Sequence, residues 1–242
     1  MLTAFKIFIT VLLVSTPQVE TEPEPANVSS SEGVRVVELF TSQGCPMCPG
    51  ANVLLEDMAD AHGDILALAY GVEYWDVYGW QDTFARPEFA ARQQAYVDAG
   101  QARRVYTPHF VINGGPEKLR FSEARITAAV NGTSSLPQLL TAEQSGDRIM
   151  VSLSGEGREV PAQIWAVAYH SGRETVTPTE GPNAGREVSH FNMVRAIEPV
   201  GEWTGGVLEL ELDAVDSGLA SAILIQDGPG GPILSAVRVT RP

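Results

Sequence analysis

Hydrophobic positions follow two different patterns along this chain, and the pattern breaks around Ser134-Ser135-Leu136-Pro137. Upstream, strand-length apolar runs alternate with helical spacing. Val34-Arg35-Val36-Val37-Glu38-Leu39-Phe40 reads as a strand. After the link Thr41-Ser42-Gln43-Gly44 the spacing turns helical to about His62, with Ala51, Leu55 and Met58 on one face and Gly63 as the expected C′ residue. Ile65 to Tyr70 is almost continuously apolar, as in a strand covered on both faces. Residues 83–100 read as a second helix carrying Phe84, Phe89, Arg92 and Tyr96. Val105-Tyr106-Thr107-Pro108 then leads into the strand His109 to Ile112. Asn113-Gly114 reads as a hairpin turn returning through Lys118 to Phe121, and Ser122 to Val130 as a last helix. The predicted order is β-α-β-α-β-β-α.

From Asp147 onward the spacing predicts short strands: Arg148–Leu153, Gln163–Tyr169, Asn192–Glu198, Val207–Leu212, Ala220–Gln226 and Ile233–Thr240. Leu208, Leu210 and Leu212 alternate with Glu209 and Glu211, the mark of a half-buried strand. No helix is needed here, so a small antiparallel β-sandwich is the economical architecture. A segment of about twenty residues, Ser171–His190, reads as a long loop, and such loops in compact domains are usually functional or disordered. The expected division is an α/β domain over 33–135 and a sandwich over 145–242.

The first residues change the setting. Met1 to Lys6 carries one positive charge and Ile7 to Val14 is apolar, which reads as an export signal over 1–16, too short to span a bilayer. Residues 17–32, rich in Pro, Glu, Ser and Thr, read as a disordered leader. A periplasmic or secreted location follows, where disulfides persist. The net charge of the 242-residue chain is −14, which argues against nucleic acid or anionic lipid as partners.

Candidate chemistry concentrates in Cys45-Pro46-Met47-Cys48, which holds the only two cysteines. Placed at a helix start, a thiolate is stabilised by free backbone N–H groups and the helix dipole, and a second cysteine one turn on suits reversible thiol–disulfide exchange. A structural staple is the plainer alternative. Closing a four-residue loop contributes only about 2 kcal/mol by chain entropy, little for a chain this size. Metal binding is the third. Structural zinc sites use four N/S ligands, and His62, His109, His170 and His190 show no ligand-like spacing. A soft Cu(I) site using Cys45 and Cys48, alone or with Met47 or His109, stays open.

The segment Val37 to Cys48 resembles the active-site strand and turn of glutaredoxins and other thioredoxin-fold proteins. Thr107-Pro108 resembles the cis-proline loop that faces the CxxC in that superfamily. More broadly, the chain is similar to a bacterial family of secreted thioredoxin-like proteins of unknown function. That likeness rests on Val37 to Cys45, Cys48-Pro49, Tyr74-Trp75-Asp76, Gly79-Trp80, Asp82, Phe84-Ala85, Arg92-Gln93, Tyr106-Thr107-Pro108, Asn183-Ala184-Gly185-Arg186 and His190 to Arg195. It implies a thioredoxin-like α/β domain followed by the sandwich, and an exported thiol–disulfide oxidoreductase.

In that reading Cys45 is the nucleophile, open to attack at the helix lip, and Cys48 the shielded resolving thiol. Thr107 and Pro108 line the substrate side with Met47, Trp75 and Trp80; packing of Tyr74, Trp75, Tyr78 and Trp80 as a core or lid is the alternative. Thioredoxins carry a buried Asp six residues before the first cysteine. Leu39 stands there, and Glu38 points to the opposite face of the strand. Asp82 and Arg92 are one candidate pair for holding that aromatic segment. Arg186, His190, Asn192 and Arg195 either stitch the long loop internally or help it define a cleft. No bound cofactor is required. The expected partners are thiols or disulfides of exported proteins and an external redox partner. The rival reading is a non-catalytic binding or Cu(I)-handling protein using the same pocket.

Overall fold

The computed structural model describes residues 33–115, 121–215 and 218–241. The expected signal and leader, and the expected return strand from Lys118 up to Arg120, lie outside the described residues.

Strand β1 (Arg35–Thr41) is the centre of a three-stranded sheet. It runs parallel to β2 (Ile65–Gly71) and antiparallel to β3 (His109–Ile112). Both β1 and β2 are buried along their whole length. Alternation therefore sends successive side chains into two different cores. Val37 and Leu39 face helices α1 (Cys48–Ala61) and α3 (Glu123–Gly132), packing with Leu55, Met58, Ile126 and Val130. Val36 and Phe40 face the other way, onto Phe89 and Tyr96 of helix α2 (Pro87–Asp98).

The second half supplies the rest of that second core. A four-stranded antiparallel sheet has the order β12 (Ile233–Arg238), β11 (Ala220–Gln226), β6 (Ala162–Tyr169), β9 (Val194–Trp203). One of its faces lays Val167, Val194, Leu224 and Ile233 against Val36, Phe40, Leu66 and Tyr70. Its opposite face, through Ile164, Val200, Trp203 and Ile223, covers a three-stranded sheet of β10 (Leu208–Asp213), β5 (Arg148–Leu153) and β4 (Leu140–Ser145). The two halves of the chain thus share one continuous hydrophobic interior.

Several expected boundaries shift for identifiable reasons. Helix α2 begins at Pro87, not residue 83. The Asp82 carboxylate accepts the N–H groups of Phe84 and Ala85 and holds that stretch as a turn, while Pro87 has the fixed φ suited to a first helical turn. Helix α1 ends through extended His62 (φ −138), so Gly63 is not a left-handed cap. Strand β4 lies outside the predicted strands, because Leu140 and Ala142 are its only buried side chains and leave little apolar period to read. The Ser171–His190 segment is not all loop. It contains β7 (Arg173–Val176) and β8 (Val188–Phe191), a two-stranded ribbon whose second strand lies along α1. Asn113 (φ 49) and Gly114 (φ 65) do form a turn with two positive φ angles. The Asn113 carboxamide oxygen accepts the Val36 N–H at 2.7 Å, which pins the end of β3 to the start of β1.

Candidate functional site

Strand β1 delivers the chain to a tight turn rather than straight into a helix. Cys45 N–H donates to Ser42 O at 3.1 Å, and Cys48 N–H to Cys45 O at 3.2 Å. Helix α1 opens at Cys48, so Cys45 sits in the turn ahead of it and not, as expected, at the helix start. The two cysteines form a disulfide with Cα atoms 5.4 Å apart. Both are buried: Cys45 is 1 % and Cys48 0 % exposed. The expectation of an open Cys45 at the helix lip fails, because a segment from the other half of the chain covers it.

That cover is the connection between β7 and β8. Asn183, itself 3 % exposed, donates from its carboxamide to Gln43 O at 2.8 Å and to Cys45 O at 2.9 Å. The connection is held in shape by Gly185 N–H donating to Pro178 O and Arg186 N–H to Asn183 O. Gly181 (φ +77) lies flat on the Tyr78–Trp80 backbone; a Cβ there would come within 3.2 Å of Tyr78 O. The long segment therefore reaches across to the cysteine turn instead of being stitched only to itself. Arg186 is exposed, whereas His190, Asn192 and Arg195 anchor the ribbon. The Asn192 carboxamide spans Gly172 N–H and Ala67 O, and Arg195 pairs with Glu174 while lying 4.4 Å from the Phe84 ring centroid.

A chain of polar contacts fixes the approach to the cysteines. Asp82 accepts the Gln43 N–H at 2.7 Å, and burial, partly offset by these N–H contacts, pushes its carboxyl pKa up. Trp80 Nε1–H donates to Gln43 Oε1 at 2.7 Å and Trp75 Nε1–H to Thr107 Oγ1 at 2.6 Å. Both indoles are half-buried and spend their polar atoms on the cysteine turn and the proline loop. On the inner side, Thr41 donates to Asn52 Oδ1, and Asn52 Nδ2–H donates to Ser189 O and faces His190 Nδ1 at 3.1 Å. Burial holds His190 and His109 down at about 4 each.

The Thr107–Pro108 bond is cis. In the β1–β3 register Phe40 pairs with His109, so Pro108 stands level with Thr41, where the turn towards the cysteines begins. Thr107, Pro108 and Met47 line one groove of about 660 Å3 together with Ala102, Arg103, Arg104, Tyr106 and Phe121. Met47 is 54 % exposed at its rim. His109 turns away into the interior, where its Nδ1 lies 3.3 Å from Gln93 Nε2 and its ring packs on Phe40 and Tyr106. Among the described residues no group of three or more His, Cys, Asp or Glu side chains converges as a metal site, so His109 does not join the cysteines as a ligand.

Arg92 does not pair with Asp82. It crosses the interior to Glu38, Nε to Oε1 at 2.7 Å, and both side chains are buried. Tyr96 OH donates to the other Glu38 oxygen, and Gln226 of β11 receives Arg92 Nη1–H and donates to Tyr96 OH. The guanidinium also lies 5.4–5.8 Å from the ring centroids of Tyr70, Tyr96 and Trp165. Glu38 is thus a joint between the halves and stands on the face of β1 opposite Leu39. Sequence reasoning missed Asn183 and Gln43 as site residues; neither type nor spacing sets a lone amide apart from ordinary loop polarity.

Residues 36–226 match the model of a family described as a protein of unknown function (DUF1223). An X-ray crystal structure of a protein from Agrobacterium tumefaciens is similar at 30% identity and a TM-score of 0.67, over 86% of this chain and 95% of that one. HBP35 of Porphyromonas gingivalis is similar in fold at 13% identity and a TM-score of 0.62, over 86% of this chain and 74% of that one. No curated protein matches the sequence.

Proposed function

This chain belongs to the DUF1223 family of proteins of unknown function, and from that premise we propose that it is an exported thiol–disulfide oxidoreductase built on a thioredoxin-like unit over residues 33–135. The observation that carries the reading is the convergence of a Cys45–Cys48 disulfide, a cis Thr107–Pro108 bond and an exposed Met47 at one end of β1 and β3. A staple has no use for a groove or for two tryptophans committed to its approaches.

The exchange proceeds in two displacements. A client thiolate attacks Cys45 Sγ; a client–Cys45 disulfide forms and the Cys45–Cys48 bond breaks, with Cys48 leaving as thiolate. A second client thiolate then attacks the client sulfur, forming the client disulfide and releasing Cys45 as thiolate. Two electrons pass from client to protein, two thiol protons pass to solvent or to the released thiolates, and an external disulfide restores the pair. With a client disulfide and a reduced pair the same bonds are exchanged in reverse. Client approach requires the Asn183 segment to lift, because Cys45 is covered at rest. Thr107, which has no main-chain hydrogen bond among the described residues, offers its N–H and C=O to the client backbone.

The test is trapping with Cys48→Ser in an exported-protein extract. Covalent adducts through Cys45 that a reductant releases support exchange and identify clients. Their absence, with the variant folded and its Cys45 modifiable by a small alkylating agent, sinks it.

A further inference from the structure

Arg103 and Arg104 are adjacent and share one groove in a chain whose 30 acidic residues outnumber its 16 Lys and Arg. Arg35, Arg92, Arg148, Arg158, Arg173 and Arg195 each pair with a carboxylate. Arg103 and Arg104 are exposed and have no hydrogen-bond or ion-pair partner among the described residues. Both line the groove that runs from Met47 past Thr107 and Pro108, and among the described residues no acidic side chain lines it. Two adjacent, uncompensated guanidiniums on an otherwise anionic molecule make a local positive site whose field favours one sign of partner. Guanidinium geometry suits carboxylates, which it meets bidentately.

We propose that this groove selects an extended client segment in which acidic residues flank the reacting cysteine, with Arg103 and Arg104 holding the carboxylates while the cysteine reaches past Met47. The proposal deepens the exchange reading and rests on it, since it assigns the client's sequence character. The negative remainder of the surface repels acidic proteins in general, so the preference is local: it acts on the segment threaded through the groove. Because the two side chains are exposed, the effect is screened by salt and confers discrimination of about tenfold rather than absolute specificity.

The probes are two fluorescein-labelled decapeptides with a central serine in place of cysteine, one with Asp and Glu flanks and one with Asn and Gln flanks. Anisotropy titration at low salt is expected to show the acidic peptide bound about tenfold more tightly. Arg103→Gln/Arg104→Gln should remove the difference, and about 0.5 M salt should reduce it strongly. Equal binding of the two peptides, or a preference that survives the double variant, overturns the proposal. The cysteine forms of the same peptides separate the two readings. Equal exchange rates for both peptides would leave exchange standing and remove charge selection. Serine-peptide discrimination without any exchange would leave the carboxylate-binding groove standing and remove the oxidoreductase.

Discussion

Removing the Asn183 carboxamide should uncover the disulfide without dismantling the fold. In the closed state Asn183 donates to Gln43 O at 2.8 Å and to Cys45 O at 2.9 Å, both in buried surroundings. Each such bond contributes about 1 kcal/mol net, and Asn183→Ala leaves two carbonyls unpaired only while the segment is closed; once it lifts, water satisfies them. The closed state therefore loses about 2 kcal/mol relative to the open one, which raises the open population about 30-fold. If thiols reach Cys45 only through that opening, reduction of the disulfide accelerates by the same factor, as long as opening and closing outpace reduction. The assay is pseudo-first-order reduction by dithiothreitol at pH 8, quenched by alkylation and read by mass. Urea unfolding of the parent and variant is run in parallel, since a general loss of stability also speeds reduction. A rate within twofold of the parent would refute the cover, as would an acceleration that tracks the loss of global stability on further destabilisation elsewhere.

Other substitutions test the remaining framework. Glu38→Gln leaves the buried Arg92 without its counter-charge and should cost about 3–5 kcal/mol, whereas Glu38→Leu/Arg92→Met should cost less than the single change; urea midpoints compare them. His109 and His190 are held near 4 by burial, below the ordinary 6.5. The unfolded chain therefore binds protons that the folded one refuses, so stability falls as pH drops from about 6.5 to about 4 and then levels, by up to about 3 kcal/mol per histidine. Unfolding at pH 7.5, 5.5 and 4 should show that fall, and His190→Gln should about halve it, since His109 remains; an unchanged profile in that variant would refute the assignment. Gly71→Ala places a Cβ 2.9 Å from Ala85 N and from Phe84 C, so it should cost about 1–3 kcal/mol in thermal or urea unfolding.

What the sequence made legible is what periodicity and turn chemistry encode locally. The apolar run before the cysteines, the i, i+4, i+7 face of α1 and the Asn113-Gly114 turn all depend on neighbours within a few residues. The partner of Glu38 was not legible. An acid in an apolar strand predicts burial with a cation but not which cation, and Arg92 lies 54 positions away. The cover on Cys45 was illegible for a stronger reason. Asn183 is separated from Cys45 by 138 residues and sits in a segment without hydrophobic period, so the family likeness marks the residue but nothing local tells where its carboxamide goes. Strands β7 and β8 escaped because each is four residues long, and β7 has no fully buried side chain. The cysteine pair was legible from its spacing and its place after an apolar strand, whereas the cis proline came only from resemblance to thioredoxin-fold proteins.

The shared interior also sets an order of events during biogenesis. Val36, Phe40 and Leu66 complete their packing only against Val167, Leu224 and Ile233, and the last of these belongs to the final strand. Chains emerge from the ribosome N-terminus first, and units that need late residues must wait for them. The cysteines therefore appear long before the strand that finishes the core beside β1, and before Asn183, which covers them. Through that interval the two cysteines lack the cover that Asn183 gives Cys45 in the finished fold, so access to the pair depends on how much of the chain has been made and packed.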